Sequence, residues 1–305
     1  MLEILKGAIG LGLLWAVMAI GIYITYRILN ISDLTSEGSF TLGGAILAYC
    51  TIHKTDPCLA LLMSLVGGAL AGLVTGLLHT KLKIPTLLAG ILSMTGLYSV
   101  NLRIMGQANI ALTNQTTLLS VWAKHLGLDK QRDAALVVGM IILIVLIALI
   151  YLFLNTEIGY ALRATGNNEQ MIRAFGVHTD GMKVLGLMIG NALIALSGGL
   201  VAQYNGYADV GMGIGAIVIS LASVIIGEVF FGRRRLLVSL LGVGIGSIIY
   251  RVIIALVLDA GLPANDMRLF TALLVAVAIS LPQLKNHFKH QLRRKTTHVG
   301  HSKPL

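Results

Sequence analysis

A short polar run near the N-terminus carries the side chains best suited to line a path for a polar solute. It contains Asp33, Thr35, Glu37 and Ser39 between two apolar segments, and Asn101 lies in a later apolar segment. Polar side chains inside apolar segments mark solute pathways, and broken helices at membrane depth often lie on a transport route. The same run is also compatible with an ordinary polar surface loop that precedes a short tilted helix.

The sequence contains no recognisable catalytic machinery. It has no G-x-x-x-x-G-K-[ST] phosphate loop, no H-E-x-x-H motif, no nucleophile elbow and no cysteine pair at zinc-ligand spacing. Arg251 is the clearest ionisable residue within an apolar segment, and it either turns outward, pairs with Asp259 or faces a solute path. We therefore predict no catalytic residue, no metal site and no cofactor.

The composition predicts an all-α, polytopic membrane bundle. Charged residues make up 12% of the 305 residues and the mean hydropathy is +0.85, whereas soluble domains carry about 25% charge. Because a membrane crossing needs about 20 apolar residues, we predict eight or nine transmembrane segments, the second being short or broken. The candidate spans are Gly7–Leu29, Phe40–Ile52, Pro57–Leu78, Ile84–Met105, Ala134–Leu154, Met182–Gln203, Gly211–Gly227, Leu236–Leu258 and Leu269–Leu281.

Basic residues in the connecting segments predict the topology. Lys and Arg concentrate at 79–83, 155–181, 232–235 and in the tail, 285–305, and such segments stay on the cytoplasmic side. The longer 106–133 loop, with Lys124, Lys130 and Arg132, is the exception to this pattern. The assignment puts the C-terminus in the cytoplasm and the N-terminus outside, unless the second segment does not cross fully. We predict a transmembrane domain over 1–284 and a basic cytoplasmic tail, so the net charge of +10 indicates contact with membrane lipid and not with nucleic acid.

Glycines recur four residues apart in the apolar segments. The repeated positions are Gly68, Gly72 and Gly76, Gly186 and Gly190, Gly211 and Gly215, and Gly242 and Gly246. Small residues at this spacing let two helices approach closely. They predict tight packing within the bundle, with a seam between two subunits as the alternative.

The polar segment 155–181 separates two long uncharged stretches. Its pattern predicts that Gly166 starts or caps a short helix, that Asn167–Ala174 forms an interfacial helix, and that Gly176 ends it in a left-handed conformation. A polar, basic segment of this length between spans is suited to bind a soluble partner protein.

The run from Leu162 to Val177, followed by Asn191, Ala192, Ser197, Gly198 and Gly199, resembles the permease subunits of ABC importers in the branched-chain amino acid, ribose and simple-sugar group. The runs Asp33–Gly43 and His79–Pro85 resemble the tryptophan/tyrosine-type permeases within that group. The resemblance implies a cytoplasmic ATPase partner, an extracytoplasmic substrate-binding lipoprotein and a second permease copy or a sister chain. It also implies that the ATPase contacts Gly166, Asn167, Asn168, Glu169, Met171, Arg173, Ala174, Phe175, Gly176 and Val177.

We therefore predict a multi-pass permease subunit of the cytoplasmic membrane that moves a small solute, an amino acid in the first instance, and is not itself an enzyme. Two alternatives are an ion-gradient-driven secondary transporter and an integral-membrane enzyme. The first is disfavoured because carboxylates within the spans are few, and the second because no catalytic cluster is found.

Overall fold

A computed structural model describes residues 2–113, 115–125, 127, 131–232, 235–261, 263, 266, 269–277 and 280. The predicted basic tail, 285–305, lies outside the described residues. The elements in chain order are α1 (Leu2–Ile22), a π-helical segment (Tyr23–Ile28), α2 (Thr35–Ile52), α3 (Pro57–Thr80), α4 (Thr86–Met105), β1 (Asn109–Ala111), α5 (Leu118–His125), α6 (Gln131–Leu154), α7 (Glu157–Asn167), α8 (Glu169–Ala174), α9 (Thr179–Asn205), β2 (Tyr207–Asp209), α10 (Ala216–Phe231) and α11 (Leu236–Asp259). Residues 269–277 are also helical.

The described chain is a helical bundle whose helices suit a membrane. Six helical segments are long and apolar enough to cross it: Glu3–Ile28, Pro57–Thr80, Thr86–Met105, Asp133–Leu154, Thr179–Asn205 and Leu236–Asp259. The predicted all-α polytopic class agrees with this. The predicted count of eight or nine is not reached by this criterion. Helix α10 is too short, with 16 residues, and α2 has 18 residues but begins with a polar turn and is not apolar enough.

Helix α9 lies at the centre of the bundle and packs closely against α3. A Cβ atom added to Gly72 would lie 2.3 Å from the carbonyl oxygen of Leu187, and one added to Gly68 would lie 2.3 Å from that of Asn191. Side chains at these positions would therefore push the helices apart. The predicted close packing is confirmed within one chain for this pair of helices.

The prediction for Gly211 and Gly215 is wrong. These residues lie in turns, and α10 begins only at Ala216. Gly215 has a φ of +80°, a left-handed conformation that glycine adopts at no steric cost, so the pair ends a turn and does not form a helix face.

The second segment begins earlier than predicted. Its first helical residue is Thr35 and not Phe40, because the carboxylate of Asp33 accepts a hydrogen bond from the backbone N–H of Thr35 at 2.9 Å. A side chain that accepts a backbone N–H at a helix start stabilises that start. The irregular stretch therefore shrinks to a few residues, which connect the π-helical segment to α2.

The bundle has two distinguishable ends. At one end, which we call the basic end, Lys83 lies 3.6 Å from Asp180, so the 79–83 and 155–181 segments are neighbours. At the opposite end β1 pairs with β2 in an antiparallel hairpin. These two basic segments therefore lie on the same side of the bundle, as the predicted topology has them.

Candidate functional site

The predicted interfacial helix is α8, a short helix at the basic end that begins at Glu169 and not at Asn167, which is the last residue of α7. Asn168 begins it by accepting a hydrogen bond from the N–H of Met171 at 3.0 Å. Gly176 follows its end with a φ of +84°, which confirms the predicted left-handed position. Side-chain capping at the first residue and glycine after the last explain why so short a helix forms here.

The prediction for Gly166 is wrong in its local structure. It lies inside α7 and does not start or cap a helix. A Cβ atom there would lie 1.9 Å from the carbonyl oxygen of Ile28, so glycine is needed for close packing of α7 against the π-helical segment.

A set of charged and hydroxyl side chains fixes α8 to the start of α9, and we call it the α8–α9 charge cluster. Its members are Glu169, Arg173, Thr179, Asp180 and Lys183. Arg173 donates to Glu169 at 2.8 Å and to the Thr179 hydroxyl at 2.8 Å. Lys183 lies 2.7 Å from Glu169, and Arg173 lies 3.6 Å from Asp180. The cluster therefore ties both ends of α8 to a membrane-spanning helix.

The cluster changes the acidity of its central carboxylate. The hydrogen bond from Lys183 holds the pKa of Glu169 below its ordinary value, and the positive charges of Lys183 and Arg173 act in the same direction, against a smaller opposing effect of burial. Glu169 is consequently ionised near neutral pH, the state in which it can accept from both basic side chains.

The remaining predicted contact residues are exposed to differing degrees. The Phe175 side chain is 77% exposed and that of Met171 is 47% exposed. Exposed as well are Asn167, Asn168, Ala174 and Gly176, while Val177 is half-buried. The segment therefore exposes two large apolar side chains, while the charged residues of the same helix bind residues of α9.

Sequence reasoning missed Thr179, Asp180 and Lys183 as positioning residues. They lie five to nine residues beyond α8, outside the pattern that predicted it. The opposite charges on α8 and on the start of α9 could have indicated this pairing. Charge alone, however, does not specify which surfaces meet.

The polar run near the N-terminus forms a second cluster inside the bundle, which we call the buried polar cluster. Its centre is Asn191 of α9, which donates to the Asp33 carboxylate at 2.6 Å and accepts from the Ser39 hydroxyl at 2.7 Å. Asp33 is 3% exposed, and Ser39 and Asn191 are fully buried. The surface-loop alternative for this run is therefore wrong.

Further hydroxyls extend the buried polar cluster towards α3 and α4. The Thr35 hydroxyl lies 2.8 Å from that of Thr75, and Thr75 donates to Ser93 at 2.7 Å. Groups of this kind satisfy each other where no water is available. Asn191, Thr75 and Ser93 were not among the predicted path residues, although a single amide in an apolar helix is a usable signal.

The two remaining predicted path residues make single described contacts. The Glu37 carboxylate accepts from the N–H of Gly215 at 2.9 Å, and the Asn101 amide donates to the carbonyl of Gly38 at 3.2 Å. The first contact joins the start of α2 to the start of α10, and the second joins α2 to α4. All five predicted residues thus lie around the first turns of α2.

Arg251 does not pair with Asp259 in the described structure. Its guanidinium lies 4.1 Å from the centre of the Trp15 ring, a cation–π contact that partly replaces hydration. This contact between α1 and α11 corrects the predicted pairing.

No three His, Cys, Asp or Glu side chains in the described part of the chain are close enough together to hold a metal ion. The two clusters therefore offer hydrogen bonds and charges as their chemistry, together with the exposed apolar surface of α8.

Comparison with known proteins identifies the class. Residues 4–278 match the model of the family described as branched-chain amino acid transport system / permease component. The chain belongs to this family of ABC importer permeases, as its resemblance predicted, and is a multi-pass membrane protein.

Individual relatives are named for transport of different solutes. The tyrosine transport system permease protein of Clostridioides difficile is 40% identical over 277 residues, which cover 91% of this chain and 90% of the relative. An autoinducer 2 import system permease protein of Photorhabdus luminescens is 26% identical over 194 residues, which cover 62% of this chain and 52% of the relative. A fructose import permease protein of Rhizobium meliloti is 24% identical over 260 residues, which cover 82% of this chain and 70% of the relative. No solved structure matches the chain.

Proposed function

We propose that this chain is the pore-forming subunit of an importer driven by a cytoplasmic ABC ATPase, and that its solute is an amino acid. Membership of the permease family supports the first part. The similarity over most of both chains to a protein named for tyrosine transport favours an amino acid over a sugar. In this proposal the chain changes conformation and performs no catalysis.

The observation that carries the proposal is the construction of α8. It is anchored to a spanning helix by the α8–α9 charge cluster, while Phe175 is 77% exposed at the basic end. A large exposed aromatic side chain on a rigid support is suited to fill a pocket of a partner protein. A push on α8 would be transmitted to α9, since Glu169 and Arg173 bind residues of that helix.

The proposed assembly has four further features. The basic end faces the cytoplasm, as the distribution of Lys and Arg favours, so the tail at 285–305 is cytoplasmic and 1–284 form the membrane domain. An extracytoplasmic substrate-binding lipoprotein delivers the solute to the hairpin end. Two copies of the chain form the pore. The solute passes near the first turns of α2, where Asp33, Thr35, Glu37, Ser39 and Asn101 lie.

The test is purification of the tagged full chain from its native host in mild detergent, followed by mass spectrometry of the associated proteins. We expect an ABC ATPase in stoichiometric amount with the unaltered chain. The double substitution Met171→Ala with Phe175→Ala should reduce its retention at least tenfold, since burying two large apolar side chains contributes about 3–6 kcal/mol at full burial.

The matched control is Phe230→Ala, because Phe230 is also a highly exposed phenylalanine, at 68%, but lies on α10. It should leave ATPase retention unchanged. Absence of any ATPase from the unaltered preparation would contradict the proposal and favour an ion-driven carrier. Uptake of radiolabelled tyrosine into proteoliposomes containing the complex, with fructose as competitor, tests the solute separately.

A further inference from the structure

A basic cavity lies at the same end of the bundle as α8, between the π-helical segment, α7 and the start of α11. Its volume is about 770 Å³. Its lining includes Arg27, Arg163, Arg235, Tyr160, Asn167 and Ser239. Three guanidinium groups from three different elements thus converge on one space.

The positive charge of this cavity is only partly neutralised. Arg27 forms an ion pair with Glu228 of α10. Within the described residues, the ion pairs include neither Arg163 nor Arg235, and the Arg163 guanidinium lies 5.7 Å from the centre of the Tyr160 ring. Two cations are therefore left facing a common space, and such an arrangement favours an anion.

The donors of the cavity match a phosphate group in kind. A guanidinium presents planar paired N–H donors that fit two oxygens of a phosphate. Tyr160, Ser239 and Asn167 also line the cavity, and their hydroxyl and amide groups are neutral donors. In addition, the Nε–H of Arg27 is buried and has no hydrogen-bond partner among the described atoms.

The position of the cavity distinguishes between sources of phosphate. It lies where α1 and α11 reach the basic end of the bundle, which is the depth of lipid headgroups for helices that span the membrane. Basic pockets between spanning helices at that depth bind anionic headgroups. We propose that this cavity binds the phosphodiester of an anionic phospholipid, with Arg163 and Arg235 donating to its oxygens. This site does not depend on the identity of the transported solute or on an ATPase.

The test is a titration of the purified full chain, in neutral detergent, with dioleoyl phosphatidylglycerol and with dioleoyl phosphatidylcholine, read by native mass spectrometry and by thermal unfolding. We expect saturable binding and a raised unfolding temperature with phosphatidylglycerol only. Since each basic residue contributes about a fivefold factor to binding of anionic lipid, the double substitution Arg163→Gln with Arg235→Gln should weaken phosphatidylglycerol binding about thirtyfold.

The control is Arg103→Gln, in the last turn of α4 at the hairpin end. Its charge change equals that of each single substitution, Arg163→Gln or Arg235→Gln, and it should leave binding unchanged. Unfolding temperatures in phosphatidylcholine show whether each variant is folded. If the double variant does not fold, the single substitutions Arg163→Gln and Arg235→Gln are tested in its place. Unchanged phosphatidylglycerol affinity in the folded variants would overturn the proposal.

Two further arms separate other sources of the anion. Inorganic phosphate at millimolar concentration should neither stabilise the chain nor displace the lipid, and full displacement would overturn the lipid assignment in favour of a free phosphate. Loss of ATPase retention in the double variant, with phosphatidylglycerol binding unchanged, would assign the cavity to an acidic side chain of a partner instead.

Discussion

The buried polar cluster and the α8–α9 charge cluster both tie α9 to a neighbouring segment, but they differ in their access to water. Asp33, Ser39 and Asn191 are buried within the bundle, whereas 60% of the Arg173 side chain and 35% of the Glu169 side chain are exposed. An unsatisfied polar group costs more where water cannot replace its partner. Similar hydrogen bonds should therefore determine stability in the first cluster and local positioning in the second.

The difference in burial also separates the expected consequences for function. Exposed ion pairs contribute typically 0.2–1 kcal/mol, too little to decide whether a bundle of this size folds. Helix α8 has six residues and none of them is buried, so apolar packing does little to fix its orientation. The ion pairs can therefore decide how this short helix is held. Changes in the charge cluster should consequently alter coupling while the fold persists.

The largest effect is expected for Asn191→Leu. This substitution removes two bonds to side chains and one to the Leu187 carbonyl, at 2.9 Å, and leaves the Asp33 carboxylate without its amide donor. We expect a loss of roughly 3 kcal/mol, measured as a fall in unfolding temperature of roughly 6–12 °C in neutral detergent.

Asn101→Leu is the matched control for that substitution. Asn101 is equally buried, but its amide donates one bond of 3.2 Å and its carbonyl oxygen has no partner among the described atoms. We expect a loss of about 1 kcal/mol or less. Equal losses for the two variants would show that burial alone, and not the hydrogen-bond arrangement, sets the stability.

An intermediate and local effect is expected for Gly176→Ala. The φ of +84° costs a residue with a side chain roughly 1–2 kcal/mol, so the end of α8 should lose its shape. ATPase retention should fall about five- to thirtyfold with an unchanged unfolding temperature. Gly96→Ala is the control, because a Cβ atom there meets open space. A large fall in unfolding temperature for Gly176→Ala would contradict a purely local role.

The smallest effect is expected from titration of Glu169. Because its folded-state pKa lies below the ordinary value of 4.5, its contribution to holding α8 is complete above that pH. The contribution is lost as the pH falls below 4.5 and through the lowered pKa. A nitroxide label at Gln170→Cys, with Cys50 and Cys58 replaced, should become more mobile in electron paramagnetic resonance spectra over that acid range.

Glu169→Gln provides the control for the titration. The labelled variant should already be mobile at pH 7 and should show little further change on acidification. A transition centred between pH 6 and pH 8 would contradict the assignment to this carboxylate, whose pKa is lowered by Lys183 and Arg173.

Features that depend on neighbouring residues in the chain could be predicted from the sequence alone. Long uncharged stretches specified spanning helices such as α6 and α9, because a membrane crossing needs continuous apolar residues. The end of α8 was also predicted correctly, since Gly176 adopts its left-handed conformation for local reasons. Its start was not, because Asn168 and not Gly166 caps the helix. The family followed from runs that are contiguous in the chain.

Which surfaces meet became known from the folded arrangement of the helices and not from the sequence. The Asp33 carboxylate and the Asn191 amide are 158 residues apart in the chain, and no local pattern specifies that they bind each other. The same holds for Arg251, whose guanidinium meets the ring of Trp15 on another helix. Burial inside the bundle makes such pairings energetically necessary, because a polar group without water must bind whichever partner the packing of the helices brings near it.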